Sequence, residues 1–370
     1  MKKEAVEKLL EKHFRSVVQK DPKIQNAFML IHSEKYGIHL NMAQGITGSI
    51  PADPQQPYYI ASIGKLFISV LTGILFEKKK IAYDDFITQY LEHDLLDSLH
   101  IYKGIDYTER IKIKHLLNHT SGLSDYFEDQ PKQGKSMLEM IVEQPSRSWS
   151  PQDIIHWSKK HLKSHFPPGR GFHYSDTGYH ILGLILEKIT GMPLHEVLEY
   201  YIFNPLDMHY SYMVTHLGSL KQNSYPAADV YIMNTHAKDL NILKSDYAGG
   251  GIVAPAEDLL KFMNALKKHE IIGKDTFEKM KDWAGFFNLS FVGINYGYGL
   301  MSFKTIPFIL PSRYNAWGNI GSIGSFMFYH PLTDTFLIGN LNHFRYHRKG
   351  IQLMFKAIDI ILKCHNVVLR

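Results

Sequence analysis

Residues 57–70 read PYYIASIGKLFISV, an apolar run that contains one charged side chain, Lys65. A core helix ordinarily carries alanine or leucine at such a position, because a buried ammonium group loses its hydration. Ser62 precedes Lys65 by three residues, so a helix beginning here places both side chains on one face, about one turn apart. The run therefore predicts a helix of about 15 residues that carries chemistry in its first turn.

The Ser62 and Lys65 pair combines a nucleophile with a group that can manage its proton. A serine hydroxyl attacks poorly until a base takes its proton, and the proton affinity of a lysine changes readily in a partly dry site. Ser62 is the only serine in the chain with a lysine three residues later. The spacing alone also fits the alternative that Lys65 extends from a core helix to solvent.

The periodicity of apolar residues divides the chain into three parts. An amphipathic helix in the first 20 residues is followed by two alternating runs, 26–31 and 36–42, that predict a hairpin. Residues 83–286 show helical periods broken by turn clusters, with no strand pairs that stand out. Alternation returns between residues 297 and 340, in GYGLMSF, KTIPFIL, SIGSFMFYH and TDTFLIGN, and a helical pattern follows at 351–363.

Strand patterns at both ends of the sequence predict an α+β fold, because chain ends often lie close together and sequential strands often pair. We expect one mostly antiparallel sheet flanked by terminal helices. Residues 1–82 and 287–370 would form a discontinuous α/β sub-domain, and residues 83–286 an inserted, mainly helical sub-domain. The active site would lie in the cleft between them.

Composition excludes several classes of function. The formal net charge of +5 is spread over 41 basic and 36 acidic side chains, which is too small an excess for a nucleic-acid footprint. The single cysteine, Cys364, cannot form an intrachain disulfide. The longest apolar stretch, Leu66–Phe76, is shorter than the roughly 20 residues that span a bilayer, and no export signal is visible, so we expect a cytoplasmic protein.

Several further segments, in a fixed order, resemble one superfamily. YYIASIGKLF (58–67), IKIKHLLNHTSGLSDYF (111–127), FPPGRGFHYSDTGYHILGLILEKITG (166–191) and WGNIGSIGSFMF (317–328) are similar to motif segments of the serine β-lactamases and penicillin-binding proteins. The resembling branch holds class C β-lactamases, D-stereospecific peptidases and β-lactamase-like esterases. The resemblance covers most of residues 55–345 and implies a β-lactamase/transpeptidase-like fold.

The resemblance implies a role for each matching residue. Ser62 would be the acylated nucleophile and Lys65 its proton-managing partner. Tyr174 matches the tyrosine of the family's Tyr-x-Asn motif and would be a phenolate-like general base, which requires nearby cations because a free phenol titrates near pH ~10. Asp176 replaces the more usual asparagine of that motif, so it could keep Lys65 charged but lacks the amide donor that would bind a substrate carbonyl.

The third family motif, Lys-Thr-Gly or His-x-Gly, corresponds to Asn319 through Gly321. Gly321 fits, because a residue without a side chain lets substrate approach the strand backbone. Asn319 departs from the pattern, since it removes a cation beside Tyr174. Arg313 and Arg345 are the candidates to replace that cation.

The remaining predicted site residues line the expected pocket. The backbone N–H groups of Ser62 and Ser322 would form the oxyanion hole. Tyr126, with its neighbours Ser124 and Asp125, would contact substrate, although an ordinary surface turn explains these three residues equally well. The triplet at 249–251 would let backbone segments pack closely near the cleft.

Two histidine pairs have a spacing that a metal ion could use, His115/His119 and His161/His165. Neither pair has the His-Glu-x-x-His form or an obvious third ligand, so we predict structural or exposed histidines, no metal and no cofactor. The basic HFRYHRKG segment, residues 343–350, lies where the family places groups that meet a substrate carboxylate, and a solvated helix start explains it equally well.

These observations lead to one main hypothesis, a serine hydrolase that forms an acyl-enzyme at Ser62 and acts on a small ester, amide or lactam. A non-catalytic or slowly deacylating penicillin-binding or sensor protein is the alternative, because Asp176 and Asn319 could weaken the chemistry. A transacylase is a third option, since a dry site can favour an alcohol or amine over water. The sequence leaves the oligomeric state open.

Overall fold

The structure, a computed structural model, describes residues 2–215, 223–232, 235–237, 242–284, 293–306 and 309–368. The strands are β1 (Asn26–Ser33), β2 (Ile38–Thr47), β3 (Ile50–Pro51), β4 (Tyr58–Tyr59), β5 (Ile101–Tyr102), β6 (Ile105–Asp106), β7 (Tyr212–Met213), β8 (Tyr231–Ile232), β9 (Thr235–His236), β10 (Ile252–Ala254), β11 (Ile294–Tyr296), β12 (Met301–Phe303), β13 (Trp317–Ile320), β14 (Phe326–His330) and β15 (Thr335–Asn340). The helices are α1 (Lys3–Gln19), α2 (Gly64–Glu77), α3 (His93–Leu96), α4 (Ile113–Leu117), α5 (Met137–Glu143), α6 (Pro151–His161), α7 (Asp176–Thr190), α8 (Leu194–Leu198), α9 (Ile242–Ser245), α10 (Tyr247–Gly250), α11 (Ala256–Lys267), α12 (Lys274–Lys279) and α13 (His347–Val368).

The main sheet joins the two ends of the sequence. Among the described residues it has eight strands in the order β11-β12-β13-β14-β15-β1-β2-β3, and its pairings are antiparallel. β1 pairs with β15, with Phe28 opposite Asn340. α1 packs against α13, and apolar side chains of both helices share one buried cluster with the sheet. The predicted α+β fold with an antiparallel sheet and terminal helices is confirmed.

The region between the ends of the sheet departs from the prediction in one respect. β7 and β10 lie inside the segment that was expected to be mainly helical and pair with β4 in a small antiparallel sheet, and the same segment holds two two-stranded sheets, β5 with β6 and β8 with β9. Each of these strands has two or three residues, which is too short to give a detectable alternation. In the predicted strand KTIPFIL, residues 307–308 lie outside the described residues, and the others form only an isolated bridge between Ile306 and Leu310.

The division into sub-domains stays a prediction, and its boundary at residues 286 and 287 lies outside the described residues. Helix α2, which the opening run predicted, is buried on all sides from Gly64 to Leu75. It belongs to the largest apolar cluster, together with helices α7 and α11. In the part of the chain that the structure describes, no helix is both long enough and apolar enough to cross a bilayer.

Candidate active site

Ser62 lies in a 3-10 turn, Ala61–Ile63, that leads from β4 into α2. Ala61 has a φ of 51°, in the left-handed region that costs a residue with a side chain about 1–2 kcal/mol. The end of β13 approaches this turn so closely that a Cβ atom on Gly321 would lie 2.9 Å from the Ile60 carbonyl oxygen. The Ser325 hydroxyl donates a hydrogen bond to the same carbonyl at 2.9 Å. The turn that carries Ser62 is therefore held against the end of β13.

Lys65 is completely buried, and its ammonium group lies among several oxygen atoms. Nζ donates to the Ser62 Oγ atom at 3.2 Å and to the Gly249 carbonyl oxygen at 2.6 Å, and it forms an ion pair with Asp176. Burial alone would lower the pKa of Lys65, but the neighbouring acidic groups Asp176, Tyr174 and Asp246 together outweigh burial and hold that pKa above its ordinary value. Lys65 is therefore a charged donor to the Ser62 oxygen.

Tyr174 brings its phenol group to the same point. The phenol hydrogen-bonds with Ser62 and Lys65, and the Lys65 ammonium lies 4.9 Å from the centroid of the ring. Removal from water raises the pKa of Tyr174 above its ordinary value, and the positive charge of Lys65 opposes that rise without cancelling it. The resting phenol is therefore protonated.

Two further acids surround this centre. Asp246 accepts hydrogen bonds from Tyr59 and Tyr126, and burial together with the charge of Asp176 raises the pKa of Asp246 to about 6. Oδ1 of Asp125 accepts from the backbone N–H of Asp176 at 3.0 Å. Burial, followed by the charge of Asp176, holds the pKa of Asp125 well above its usual range. Of these three buried carboxyl groups, Asp176 is the one that forms the ion pair with Lys65.

A cavity of about 750 Å³ opens above this centre. Ser62, Tyr174 and Gly321 are at its wall, and Lys65 lies beneath it. The remaining lining residues that bear on the argument are Tyr59, Asp125, Tyr126, Glu128, His173, Asp176, Asp246, Ser322, Phe344, Arg345, His347 and Arg348. The cavity is large enough for a small organic substrate and presents a serine oxygen and a phenol at one point, with the buried ammonium group of Lys65 behind them.

The comparison with known sequences fits this arrangement. The chain matches the family described as Beta-lactamase over residues 27–356, which is most of its length. The chain belongs to the β-lactamase family. Penicillin-binding protein 4* of Bacillus subtilis (strain 168) is 26% identical to this β-lactamase-family protein over 248 residues, covering 63% of this chain and 50% of that protein. The chain spans about half the length of the curated relatives of this kind that it matches.

Solved structures of similar fold include amidases and an esterase. The D-amino acid amidase from Ochrobactrum anthropi SV3 superposes with a TM-score of 0.73 and 23% identity, covering 97% of this chain and 99% of that chain. EstCE1, a hydrolase with promiscuous acyltransferase activity, superposes with a TM-score of 0.75 and 20% identity, covering 96% and 99% of the two chains. At these identities the likeness shows the fold, which is the serine hydrolase fold of the β-lactamase family.

The structure does not bring Asn319 to the cavity of this β-lactamase-family protein. Its side chain is buried, donates to the Gly299 carbonyl at 2.7 Å and accepts from the Ile320 backbone N–H at 2.7 Å. Arg313, one of the two cations considered as a replacement, forms an ion pair with Asp359 at 3.3 Å and does not line the cavity. Arg345, the other, is exposed at the cavity wall.

Two residues at this centre were not singled out from the sequence for a role there. His119 was considered only as half of a metal-spaced pair, yet its imidazole packs against the ring of Tyr174, with centroids 4.2 Å apart and the ring planes tilted by 34°. The position of His119 within NHTSG, a segment that resembles the family's central loop, was the available signal. Asp246 had no such signal, because 184 residues separate it in the chain from Ser62.

Proposed function

We propose that this protein is a serine hydrolase that transfers an acyl group from a small ester or amide to Ser62 and then to water. The observation that carries the proposal is the hydrogen bond of 3.2 Å between the Ser62 oxygen and the Lys65 ammonium, at the point where the Tyr174 phenol also bonds with Ser62. Nucleophile, cation and proton carrier thus meet at the floor of one cavity.

The protonation states favour a relay through Tyr174. Because the resting phenol is protonated, Tyr174 would accept the Ser62 proton as it passes its own proton to the leaving oxygen or nitrogen. The Ser62 oxygen forms the new bond to the carbonyl carbon while the bond to the leaving group breaks. The charged Lys65 donates to the Ser62 oxygen and would stabilise the negative charge that develops there as the proton leaves. A water molecule would then repeat the sequence to release the acyl group.

The backbone near Gly321 supports an oxyanion hole. Ser62 and Ser322 both line the cavity, and the close approach of Gly321 to Ala61 holds their two segments together. Their backbone N–H groups would donate to the carbonyl oxygen of the substrate as it gains charge, where one such donor is worth about 3 kcal/mol of barrier.

Small substrates with a polar group beside the acyl carbon suit the cavity. Its wall carries the Glu128 carboxyl and the Arg345 guanidinium, so ionic groups of either sign find a partner there. The D-amino acid amidase has been crystallised with D-phenylalanine and with L-phenylalanine amide. We propose amino-acid amides and short-chain esters as the substrate classes to test first.

The test is hydrolysis of p-nitrophenyl esters of rising chain length, beside D- and L-amino-acid anilides, by the wild type and three variants. We expect Ser62→Ala and Tyr174→Phe to lower kcat/KM by roughly 10³-fold or more. Tyr200→Phe is the matched control, since Tyr200 is an exposed tyrosine that does not line the cavity. Hydrolysis by Ser62→Ala at the wild-type rate would contradict the proposal.

Intact-protein mass spectrometry with a fluorophosphonate and a penicillin separates the alternatives. A covalent adduct at Ser62, with turnover of the ester substrates, supports the hydrolase. A permanent penicillin adduct without turnover would instead identify a sensor, and no adduct with either reagent would identify a non-catalytic binding protein. Transfer of the acyl group to an added alcohol, in preference to water, would identify a transacylase.

A further inference from the structure

Three side chains next to the cavity converge on one point. Nε2 of His165 lies 2.8 Å from Oδ2 of Asp129, and Nε2 of His173 lies 3.1 Å from the same oxygen. The two imidazole rings stack with centroids 3.5 Å apart, so their Nε2 edges face the same side. Among the described residues, this is the one group of histidine, cysteine and acidic side chains whose ligand atoms all lie within 4.8 Å of one another.

The backbone holds these side chains in place. The N–H groups of His165 and His173 each donate to a carbonyl oxygen of the 119–122 turn, at 2.9 Å and 3.0 Å. The N–H group of Asp129 donates to the Asp125 carbonyl at 3.1 Å, and Oδ2 of Asp129 accepts from the Asp125 N–H at 2.9 Å. The three side chains therefore come from three separate segments that are already fixed relative to one another, which lowers the ordering cost of binding a ligand.

We propose that Asp129, His165 and His173 bind one divalent transition-metal ion of the Zn²⁺ class. Two imidazole nitrogens and one carboxylate oxygen are the ligand types that Zn²⁺ takes, at about 2.0–2.2 Å each. Ligand atoms around a tetrahedral ion at those bond lengths lie about 3.3 Å apart, so the separations of 2.8 and 3.1 Å need to widen by only a few tenths of an ångström. Each ring binds through the lone pair of Nε2 and carries its proton on Nδ1.

The site adjoins the cavity and leaves the ion incompletely coordinated. His173 lines the cavity and immediately precedes Tyr174 in the chain. Three protein ligands leave at least one position of a tetrahedral ion for water or for an anionic group of a molecule in the cavity. The ion would tie the segment that carries Tyr174 to the turn at Asp125–Asp129, independently of any acyl transfer at Ser62.

This proposal departs from the prediction of no metal site. The sequence spacing pairs His165 with His161, but His161 stacks on Trp157 with centroids 5.3 Å apart and takes no part in the cluster. The actual partner side chains of His165 are Asp129, 36 residues earlier, and His173 on the following loop. The four-residue spacing of His161 and His165 therefore picks out one of the proposed ligands, His165, but pairs it with a residue outside the cluster.

The experiment uses untagged protein that has been treated with a chelator and dialysed, then titrated with ZnCl₂ in a calorimeter and with CoCl₂ in a spectrophotometer. We expect one equivalent of Zn²⁺ to bind, a rise in Tm with Zn²⁺ concentration, and visible Co²⁺ absorption typical of a four-coordinate ion. His165→Ala and Asp129→Asn should each weaken binding at least tenfold. His161→Ala, the matched control on the same helix-loop segment, should bind as the wild type does.

Circular dichroism of each variant shows whether it has kept its fold. Asp129→Asn retains an oxygen acceptor for its neighbours, so it tests the site even if His173→Ala unfolds. Ser62→Ala should bind Zn²⁺ unchanged, which separates this proposal from the proposed hydrolase activity. Absence of stoichiometric binding at micromolar Zn²⁺ and Co²⁺, or undiminished binding by folded Asp129→Asn and His165→Ala, would overturn the proposal.

Discussion

His119 packs against Tyr174 as a neutral aromatic ring. Their centroids lie 4.2 Å apart, and Nδ1 of His119 accepts a hydrogen bond from the Ser175 backbone N–H at 3.1 Å. Burial, reinforced by the positive charge of Lys65, holds the pKa of His119 well below its ordinary value. His119 therefore does not replace the cation that the family motif would place at position 319. Lys65 is the charged group in contact with the Tyr174 phenol ring.

His119→Phe keeps a ring beside Tyr174 but removes the acceptor for the buried Ser175 N–H. We expect the free energy of unfolding to fall by about 1–3 kcal/mol, measured by urea denaturation, because the unpaired donor stays buried. His119→Asn should be milder, since asparagine offers an oxygen acceptor and tolerates the left-handed backbone at φ 59°. Equal stability of His119→Phe and wild type would contradict the role assigned to this hydrogen bond.

Asp176→Asn tests how the local charge controls Tyr174. Burial is the main reason that the pKa of Tyr174 is raised, and the negative charge of Asp176 raises it further. The proposed relay starts from the protonated phenol, so loss of its proton at alkaline pH lowers kcat/KM. Removing the Asp176 charge lowers the pKa of the phenol, so this falling limb should move to lower pH by about one pH unit. Asp84→Asn, which removes an exposed carboxylate away from the cavity, should leave the profile unchanged. An unmoved limb in Asp176→Asn would show that Tyr174 does not set the profile.

Gly321→Ala tests the contact between the end of β13 and the Ala61–Ile63 turn that carries Ser62. A Cβ atom there would lie 2.3 Å from the Ser325 hydroxyl and 2.9 Å from Cβ of Ala61, so the strand end must move away. We expect kcat to fall about 100-fold with ester substrates, because the oxyanion donors separate, and stability to fall by about 1–3 kcal/mol. Gly273→Ala is the control, since the nearest atom there is the flexible carboxylate end of Glu77 at 3.3 Å. Wild-type kcat in Gly321→Ala would count against the proposed oxyanion hole.

Asp246→Asn should change the pH dependence of stability. The pKa of Asp246 rises from 3.8 to about 6, so the folded protein keeps a proton that the unfolded chain has already released. The free energy of unfolding therefore decreases as pH rises from about 4 to 6, and the full penalty, about 3 kcal/mol, is present above pH 6. Urea denaturation at pH 4 and pH 7.5 should show a smaller decrease for the variant. An identical decrease in both proteins would refute the assignment to Asp246.

The sequence predicted the sheet because β1 and β15 are long enough to show a pattern and are apolar enough to require burial. It also placed Ser62 and Lys65 correctly relative to each other, because helical spacing determines the distance between them. Tyr174 was brought to the same point by family resemblance, since no local rule relates residues that are more than 100 positions apart. The catalytic roles of these three residues stay predictions until kinetics test them.

The orientation of Asn319 could not be read from the sequence. A polar residue in a strand that borders the site can either bind substrate or pair with buried backbone groups, and the sequence pattern is the same in both cases. Here its amide hydrogen-bonds with two buried backbone groups, the Gly299 carbonyl and the Ile320 N–H. Leaving either of these groups unpaired would lower the free energy of unfolding by about 1–3 kcal/mol. Whether the side chain faces the cavity or the buried backbone depends on which backbone groups lie nearby in the fold, and the sequence alone does not give those positions.

The hydrogen bond from Ser325 to the Ile60 carbonyl joins groups that are 265 residues apart in the chain. Refolding must therefore close a very long loop before the turn that carries Ser62 reaches its final shape. Contacts of such high sequence separation form slowly. During recovery from denaturant, helical circular dichroism should return well before the ability to cleave an ester. The protein would pass through a compact, inactive intermediate, and the Ser62 hydroxyl would become reactive only after the residues around it are in place.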